Sequence, residues 1–281
     1  MRIRLYTAEI SRGNPTCFIF LIDQSGSMED PFGGEAEGSK AHAVADAINR
    51  LLQNLVLRCA KAEGVRDYFH VGVIGYGLKV GPAFEGELGG EDLVPISQIG
   101  DNPLTIEERT QKTPDGAGGI IEQEIKFPIW FKPVAKGPTP MKKALKKAEN
   151  ILTDWLMEHP DCYPPIVINI SDGEPTDGDP SNVAQNIMEL ESSDGNVLLL
   201  NLHLSSSQAN PIEFPDIKEA LPDEFARLLY DMSSILPEKI RNEAESEGFE
   251  VSEESRGFIF NSDIVQVIQF IDIGTRATNL R

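Results

Sequence analysis

The sequence predicts an α/β protein with a doubly wound, mostly parallel central sheet of Rossmann-like type. Helices on both faces, one antiparallel edge strand and a β/loop insertion complete the predicted fold. Short apolar runs with the composition of buried strands recur along the 281 residues. Between them lie longer stretches whose apolar residues recur every three or four positions, as one face of a helix requires. Strands and helices therefore alternate in the order of a doubly wound sheet.

Five apolar runs are predicted to be strands of this sheet. The first, at residues 16–22, is apolar after its opening threonine, and the second, at residues 69–76, contains two glycines that indicate close packing of a neighbouring element. The remaining runs are rich in Ile, Val, Leu and Phe and occupy residues 166–170, 197–202 and 257–260. Runs this short and this apolar are typical of buried strands.

Helices are predicted where apolar residues recur with helical spacing, beginning with residues 41–59. The other predicted helices occupy residues 141–155, 182–193, 222–234 and 264–271. The helix at residues 141–155 carries four lysines opposite its apolar face, an arrangement typical of a solvated helix surface. The last helix follows Asn261, which begins a short run of capping residues.

Residues 79–136 depart from this alternation because they are rich in glycine and proline and show little helical periodicity. Within them, residues 120–127 have the pattern of a strand, which predicts an edge strand or a hairpin with an elaborated loop. The chain is accordingly interpreted as a single domain, residues 1–281, with an insertion at about 79–136 before the segment of Thr139. Two placements are open for the insertion: beside the residues around Thr139, or remote from them on the surface.

Polar residues follow the first predicted strand directly, in the order Asp-Gln-Ser-Gly-Ser from Asp23 to Ser27. A carboxylate and two hydroxyls at alternate positions are hard oxygen donors, and the carboxyl end of a strand is where open α/β sheets bind ligands. Taken alone, the pentapeptide favours an ordinary turn or helix cap over a metal site. Thr139, which opens a predicted helix, and Asp172, which follows another strand, each add an oxygen donor and favour a divalent-metal site.

In this combination the residues resemble the von Willebrand factor A (VWA) domains, whose metal-ion-dependent adhesion site uses an Asp-x-Ser-x-Ser loop, a distant Thr and a distant Asp. The resemblance implies that the hydroxyls of Ser25 and Ser27 coordinate the metal directly, while Asp23 and Asp172 act through water. It also implies that Thr139 contacts the metal in one conformational state. A Glu or Asp supplied by another protein would complete the octahedral shell.

Mg²⁺ is the metal expected for two carboxylates and three hydroxyls, because it prefers octahedral oxygen coordination and keeps some of its waters. Ca²⁺ or Mn²⁺ stays open, since the sequence does not fix the size of the cavity. The resemblance to intracellular microbial VWA proteins implies a metal-dependent adaptor or regulatory subunit in a stress or defence system. Its implied partner belongs to an AAA+ ATPase or a kinase/phosphatase system.

A Mg²⁺-dependent hydrolase such as a phosphatase is the alternative function. A phosphatase with an Asp nucleophile would carry a second acid two residues after Asp23, where Ser25 stands. The chain has no glycine-rich loop with Lys and Ser or Thr to cradle phosphates, and no Gly-x-Ser-x-Gly motif surrounds Ser25. The four histidines show no metal-type spacing. We therefore expect a binding protein rather than an enzyme.

Charge and composition exclude several partners. The formal net charge is −20, from 25 basic and 45 acidic residues, so nucleic acid and anionic membranes would be repelled. No apolar stretch approaches the roughly 20 residues that span a bilayer. The first residues lack the apolar core of a secretory signal, and the three cysteines show no paired spacing. A cytoplasmic location is therefore expected.

Overall fold

The computed structural model describes residues 6–31, 38–114, 120–204 and 210–261. Its strands are β1 (Thr16–Asp23), β2 (Ala60–Lys61), β3 (Gly64–Val65), β4 (Phe69–Tyr76), β5 (Val80–Pro82), β6 (Val94–Pro95), β7 (Thr105–Pro114), β8 (Ile120–Ile129), β9 (Ile166–Ser171), β10 (Leu198–His203), β11 (Ile212–Glu213) and β12 (Phe258–Phe260). Its α-helices are α1 (Lys40–Cys59), α2 (Ile96–Asp101), α3 (Met141–Glu158), α4 (Ser181–Glu189), α5 (Glu224–Asp231) and α6 (Glu238–Ser246).

The central sheet has the strand order β11-β12-β10-β9-β1-β4-β5, with β6 also paired to β4. Its five inner strands, from β12 to β4, are parallel. The mostly parallel α/β class predicted from the sequence is confirmed. Antiparallel strands close both edges rather than one: β11 pairs with β12, and β5 and β6 pair with β4. These edge strands are only two or three residues long, which keeps the exposed edges short.

The winding reverses direction beside β1. The chain passes from β1 to β4 on one side and later returns to β9 on the other, so β1 and β9 are parallel neighbours. A reversal of this kind leaves a crevice at the carboxyl ends of the two strands, where open α/β sheets bind ligands. The residues that follow β1 and β9 therefore occupy the position expected for a ligand site.

Two apolar cores cover the two faces of the sheet. Alternate residues of β1 divide between them: Phe18 and Phe20 pack in the core that contains α1, whereas Ile19 and Leu21 pack in the core that contains α3. Because both faces are covered, the inner strands are apolar at nearly every position rather than at alternate ones. Helices on both faces are thereby confirmed.

The helices agree with the sequence prediction where the apolar pattern is strong, as in α1 and α3. The predicted helices at residues 182–193 and 222–234 are shorter in the structure, and α2 and α6 were not predicted. In α6, only Ile240 and Ala244 are buried, so its apolar spacing is too sparse to recognise. The helix predicted at residues 264–271 lies outside the described residues. None of the described helices is long and apolar enough to cross a bilayer.

The segment at residues 79–136 contains β5, β6, α2 and a hairpin formed by β7 and β8. Strand β8 covers the strand predicted at residues 120–127. The hairpin packs on the middle of α1, where the guanidinium of Arg109 donates hydrogen bonds to both carboxylate oxygens of Asp46 at 2.9 and 3.0 Å. The same guanidinium lies 3.9 Å from the ring centre of Phe127. The end of the segment, at Lys136, reaches the loop that follows β1. The assignment of the whole chain to one domain stays a prediction.

Candidate metal centre

The parallel pairing of β1 and β9 brings two of the predicted ligands together. Ile22 pairs with Ile170, so Asp23 at the end of β1 and Asp172 just after β9 lie at the same edge of the sheet. The side chains of both aspartates are almost completely buried. Two carboxylates in a buried site raise each other's pKa unless hydrogen-bond donors or cations offset their charge.

Asp23 is held by neutral donors. Its Oδ1 accepts a hydrogen bond from the backbone N–H of Ser25 at 2.8 Å, and its Oδ2 accepts one from the hydroxyl of Ser171 at 2.7 Å. Burial, with a smaller contribution from the charge of Asp172, raises the pKa of Asp23 to about 6 against the lowering effect of these hydrogen bonds. Both oxygens of Asp23 accept hydrogen bonds, and the bond from the Ser25 N–H orients the loop that follows β1.

A chain of oxygen atoms joins the serine loop to Asp172. The hydroxyl oxygens of Ser25 and Ser27 lie 3.1 Å apart, and the Ser27 hydroxyl donates to Oδ1 of Asp172 at 2.8 Å. Adjacent ligands in a regular octahedron with bonds of about 2.1 Å lie about 3 Å apart. The two hydroxyl oxygens therefore have the spacing of neighbouring ligands on a Mg²⁺ ion, and Asp172 lies next to them. Ser25 is buried and Ser27 is exposed, which leaves one side of this chain open to solvent.

Thr139 lies beside the same oxygens. A Cβ atom added to Gly173 would stand 3.7 Å from the hydroxyl of Thr139 and 3.8 Å from that of Ser27, so both hydroxyls border this glycine. The backbone of Thr139 is fixed by Thr176, whose hydroxyl accepts from the Thr139 N–H at 3.0 Å and whose N–H donates to the Thr139 carbonyl at 2.9 Å. The structure thus brings all five residues predicted from the sequence into one cluster.

Backbone contacts hold the loop after β1 against the end of the insertion. The N–H of Lys136 donates to the carbonyl of Gln24 at 2.6 Å, and the N–H of Gly26 donates to the carbonyl of Gly137 at 3.0 Å. Gly77 fits tightly beneath them, because a Cβ there would approach the carbonyl oxygens of Gln24 and Lys136 to 2.7 Å. The position of the serine loop therefore depends on close backbone packing as well as on its own side chains.

Lys40 is a charged neighbour that the sequence analysis did not find. Its side chain is 2% exposed, and its Nζ lies 2.7 Å from Oδ2 of Asp172, whose side chain is 1% exposed. Lys40 is the first residue of α1, and its backbone N–H donates to the carbonyl of Asp30 at 3.0 Å. A lysine next to an acidic, glycine-rich loop has the pattern of a solvated residue, so the sequence carries no signal for this pair.

The acids at the rim have structural partners. Asp177 accepts from the backbone N–H groups of Lys142 and Lys143 at 3.0 and 2.9 Å, which caps the start of α3. Asp179 accepts from the backbone N–H of Ser181, and this hydrogen bond lowers the pKa of Asp179. Both carboxylates are therefore satisfied by hydrogen bonds from the backbone and need no metal ion to explain their positions.

His203 ends β10 next to Ser171 and is the histidine closest to the site in the sheet register. Its ring is buried and stacks on Phe260 with centroids 5.1 Å apart. Burial lowers its pKa, and Nδ1 has no hydrogen-bond partner among the described residues. A neutral, stacked imidazole of this kind packs as part of the core.

The donor set suits a hard cation. Among the described residues, no group of three or more His, Cys, Asp or Glu side chains could hold a metal, so a zinc-type or carboxylate-cage site is absent there. The cluster instead combines two carboxylates with the hydroxyls of Ser25, Ser27 and Thr139. Few charged oxygens and several neutral ones are what Mg²⁺ accepts while it keeps some of its waters. The residues present therefore fit a Mg²⁺ ion.

Fold and site together define a Rossmann-like α/β protein with a candidate divalent-metal centre at the switch point of its sheet. No protein-family model matches the chain, and no curated protein matches it. Three solved structures of pilus proteins show partial similarity. The vWF domain of the type V pili tip protein Mfa5 from Porphyromonas gingivalis has a TM-score of 0.30 and 15% identity, over 57% of this chain and 38% of that one.

The pilus adhesin RrgA from Streptococcus pneumoniae has a TM-score of 0.32 and 16% identity, over 60% of this chain and 22% of the adhesin. The PilB minor pilin from Streptococcus sanguinis has a TM-score of 0.41 and 10% identity, over 95% of this chain and 62% of the pilin. The chain spans less than two thirds of each of these structures. TM-scores this low carry no argument about function, so the site stands on the chain's own geometry.

Proposed function

We propose that this chain is a metal-dependent protein-interaction module that captures a Glu or Asp side chain of another protein. One observation carries the proposal: the hydroxyl oxygens of Ser25 and Ser27 lie 3.1 Å apart, as adjacent ligands of one octahedral cation do, and Asp172 lies beside them, 2.8 Å from the Ser27 hydroxyl. The cation would be held by Asp23, Ser25, Ser27, Thr139 and Asp172. Ca²⁺ and Mn²⁺ use the same oxygen donors, and Mg²⁺ is proposed because neutral hydroxyls dominate the set.

Each residue has a proposed part in holding the ion and its ligand. The hydroxyls of Ser25 and Ser27 would contact it directly, and Thr139 would join them from the side of Gly173. Asp23 and Asp172, whose oxygens already accept hydrogen bonds, would act through water molecules. When bound, the ion supplies a positive coordination position to which a carboxylate binds as a charge-assisted, directional ligand. The exposure of Ser27 supports access from solvent on that side.

The module is proposed to act as an adaptor or regulatory subunit rather than as an enzyme. An AAA+ ATPase or a kinase/phosphatase system in a stress or defence response is the proposed kind of partner, and the cytoplasm the proposed location. All three cysteines are free, buried thiols, which supports a reducing compartment. The buried, stacked ring of His203 argues against this histidine as a general base at this edge of the sheet.

Selection from a random peptide library tests the proposal even though the partner is unidentified. The immobilised protein would be incubated with phage-displayed peptides in Mg²⁺, and bound phage would be eluted with EDTA. We expect enrichment of peptides that lose binding when one Glu or Asp is changed to Gln or Asn. The Ser25→Ala variant should not retain them, whereas Ser193→Ala, which removes an exposed hydroxyl elsewhere, should behave as the wild type.

Two results would contradict this function. Enrichment that does not depend on Mg²⁺ or on an acidic residue would argue against carboxylate capture. Turnover of p-nitrophenyl phosphate by the wild type, lost in Ser25→Ala and kept in Ser193→Ala, would favour the Mg²⁺-dependent hydrolase.

A further inference from the structure

Lys40 is a buried cation in direct contact with the candidate metal centre. Its Nζ lies 2.7 Å from Oδ2 of Asp172 and 4.0 Å from Oδ2 of Asp30. Lysine is almost never fully buried unless it is paired, because the ammonium group loses its hydration. The pair with Asp172 is shielded from water on both sides, since the two side chains are 2% and 1% exposed.

The position of Lys40 in α1 is unfavourable for a cation. It is the first residue of a 20-residue helix, where the aligned peptide dipoles concentrate positive charge. The first turn of α1 contains no acidic residue that would offset this effect. Contacts outside the helix must therefore stabilise the ammonium, and one of them is the carboxylate of Asp172.

We propose that Lys40 sets the charge of the metal-loaded centre so that it selects a carboxylate ligand. This inference rests on the metal-dependent function proposed above. Asp23 and Asp172 are the two carboxylates that would face a divalent cation. The positive charge of Lys40 makes the loaded centre more positive than a neutral residue at position 40 would, and this favours an incoming carboxylate. Asp30, 4.0 Å from the ammonium and 58% exposed, offsets part of this charge from the solvent side.

The ammonium of Lys40 favours binding of an anion but disfavours binding of the metal ion. A fixed positive charge on the far oxygen of Asp172 repels a divalent cation and occupies part of the carboxylate's charge, so it weakens metal binding. Lys40 would thus lower the affinity for the metal and raise the affinity of the loaded centre for an anion. A residue that served only to keep the fold intact would change both affinities in the same direction when replaced.

Lys40→Gln separates these effects because glutamine is neutral and can still donate a hydrogen bond to Asp172. Mn²⁺ serves as the metal probe, with its affinity measured by electron paramagnetic resonance. Acetate serves as the carboxylate probe, with its binding measured from the relaxation of its methyl protons by protein-bound Mn²⁺. We expect Lys40→Gln to bind Mn²⁺ more tightly, and acetate more weakly, each by on the order of tenfold.

Two further variants complete the test. Lys142→Gln removes an exposed lysine at the start of α3 and should leave both affinities unchanged. Lys40→Arg keeps the positive charge and should stay within about threefold of the wild type for both probes. Circular dichroism checks that each variant is folded. If Lys40→Gln does not fold, Lys40→Arg tests the inference instead. A tenfold change in the affinity of Lys40→Arg for Mn²⁺ or for acetate would overturn the inference.

The outcomes separate this inference from the function on which it rests. If the wild type binds Mn²⁺ and Lys40→Gln binds Mn²⁺ and acetate with unchanged affinity, the role of Lys40 is wrong and the metal centre stands. If Lys40→Gln weakens both affinities together, Lys40 is a structural residue and the inference fails. If the wild type binds no Mn²⁺, the proposed function and the inference fail together.

Discussion

The ends of β1 and β9 present two buried aspartates at one edge of the sheet but surround them differently. Asp23 accepts hydrogen bonds from two neutral donors, the Ser25 N–H and the Ser171 hydroxyl. Asp172 accepts one from the Ser27 hydroxyl and pairs with the ammonium of Lys40. One carboxylate thus has its charge balanced inside the protein, whereas the charge of the other is left for a cation. Without a metal ion, Asp23 is therefore the aspartate of the two that lacks a cationic partner in direct contact.

Breaking the pair at the end of β9 should have the largest effect on stability. Asp172→Asn leaves the buried ammonium of Lys40 without the carboxylate 2.7 Å away, and the loss of one partner of a buried ion pair lowers the free energy of unfolding by about 3–5 kcal/mol. Urea denaturation in EDTA measures this effect. The matched control is Asp231→Asn, which opens the half-exposed pair with Lys218 and should change stability by less than about 1 kcal/mol. Equal losses of unfolding free energy in the two variants would show that the buried pair stabilises the protein no more than the half-exposed one.

The pH dependence of stability should report the end of β1. The pKa of Asp23 is raised from 3.8 to about 6, so the folded protein holds more protons than the unfolded chain between these values. The free energy of unfolding in EDTA should therefore fall as the pH rises through this window, by about 3 kcal/mol from Asp23. Asp172 and Tyr76 are described ionisable groups that interact with this carboxylate, and Lys40 pairs with Asp172.

Asp23→Asn separates this contribution from that of other groups. In urea denaturation at pH 5 and pH 7, without metal, the variant should lose less stability than the wild type between the two pH values. Saturating Mg²⁺ should also reduce the fall in the wild type, because a bound cation favours the ionised carboxylate. A wild-type pH profile identical to that of Asp23→Asn would show that the burial of Asp23 does not strain the folded state.

Gly77→Ala should disturb the end of β1 while leaving the pair at β9 in place. The added methyl would meet the carbonyl oxygens of Gln24 and Lys136 at 2.7 Å, so the serine loop must shift. We expect a loss of about 1–3 kcal/mol in the free energy of unfolding, together with weaker Mn²⁺ binding. Gly81→Ala, whose methyl would meet nothing within 4 Å, is the control and should change neither quantity. Unchanged Mn²⁺ affinity in Gly77→Ala would mean that the loop position does not matter.

An exposed ion pair should give the smallest effect and sharpen the contrast with the buried one. Asp46→Asn weakens the bidentate contact of Arg109 on the hairpin, where the two side chains are 53% and 31% exposed. Thermal unfolding should show a loss of less than about 1 kcal/mol that diminishes at high salt, and Mn²⁺ affinity should not change. A larger, salt-independent loss would show that the hairpin is more tightly coupled to α1 than its exposure indicates.

The inner strands and the five clustered donors were predictable because their signals are local. A run such as residues 16–22 is apolar whatever its partners, and the residues after each parallel strand reach the same edge of the sheet. The Asp-x-Ser-x-Ser loop carries its donors within five residues. Asp172 needed only the inference that its strand also ends at that edge, whereas Thr139 opens a predicted helix and was assigned to the set through the resemblance to VWA domains.

Lys40 and Ser171 could not be identified in this way. The contact of Lys40 with Asp172 joins residues 132 positions apart and depends on how closely the start of α1 approaches β9. Ser171 has the sequence character of a strand end, and its role follows from the orientation of its hydroxyl toward Asp23. The polar helix α6 was missed for a different reason, because its burial involves too few residues to form a pattern.

Calorimetric titration of Mg²⁺ into the EDTA-treated, dialysed protein measures whether the clustered donors hold a cation. We expect one bound ion per chain in the wild type and in Ser193→Ala. We expect no binding in the double variant Ser25→Ala/Ser27→Ala, which removes two neighbouring hydroxyls but leaves Asp23, Asp172 and Lys40 in place. Circular dichroism would verify that the variant is folded. Absence of binding in the wild type, or equal binding in the double variant, would contradict the metal centre.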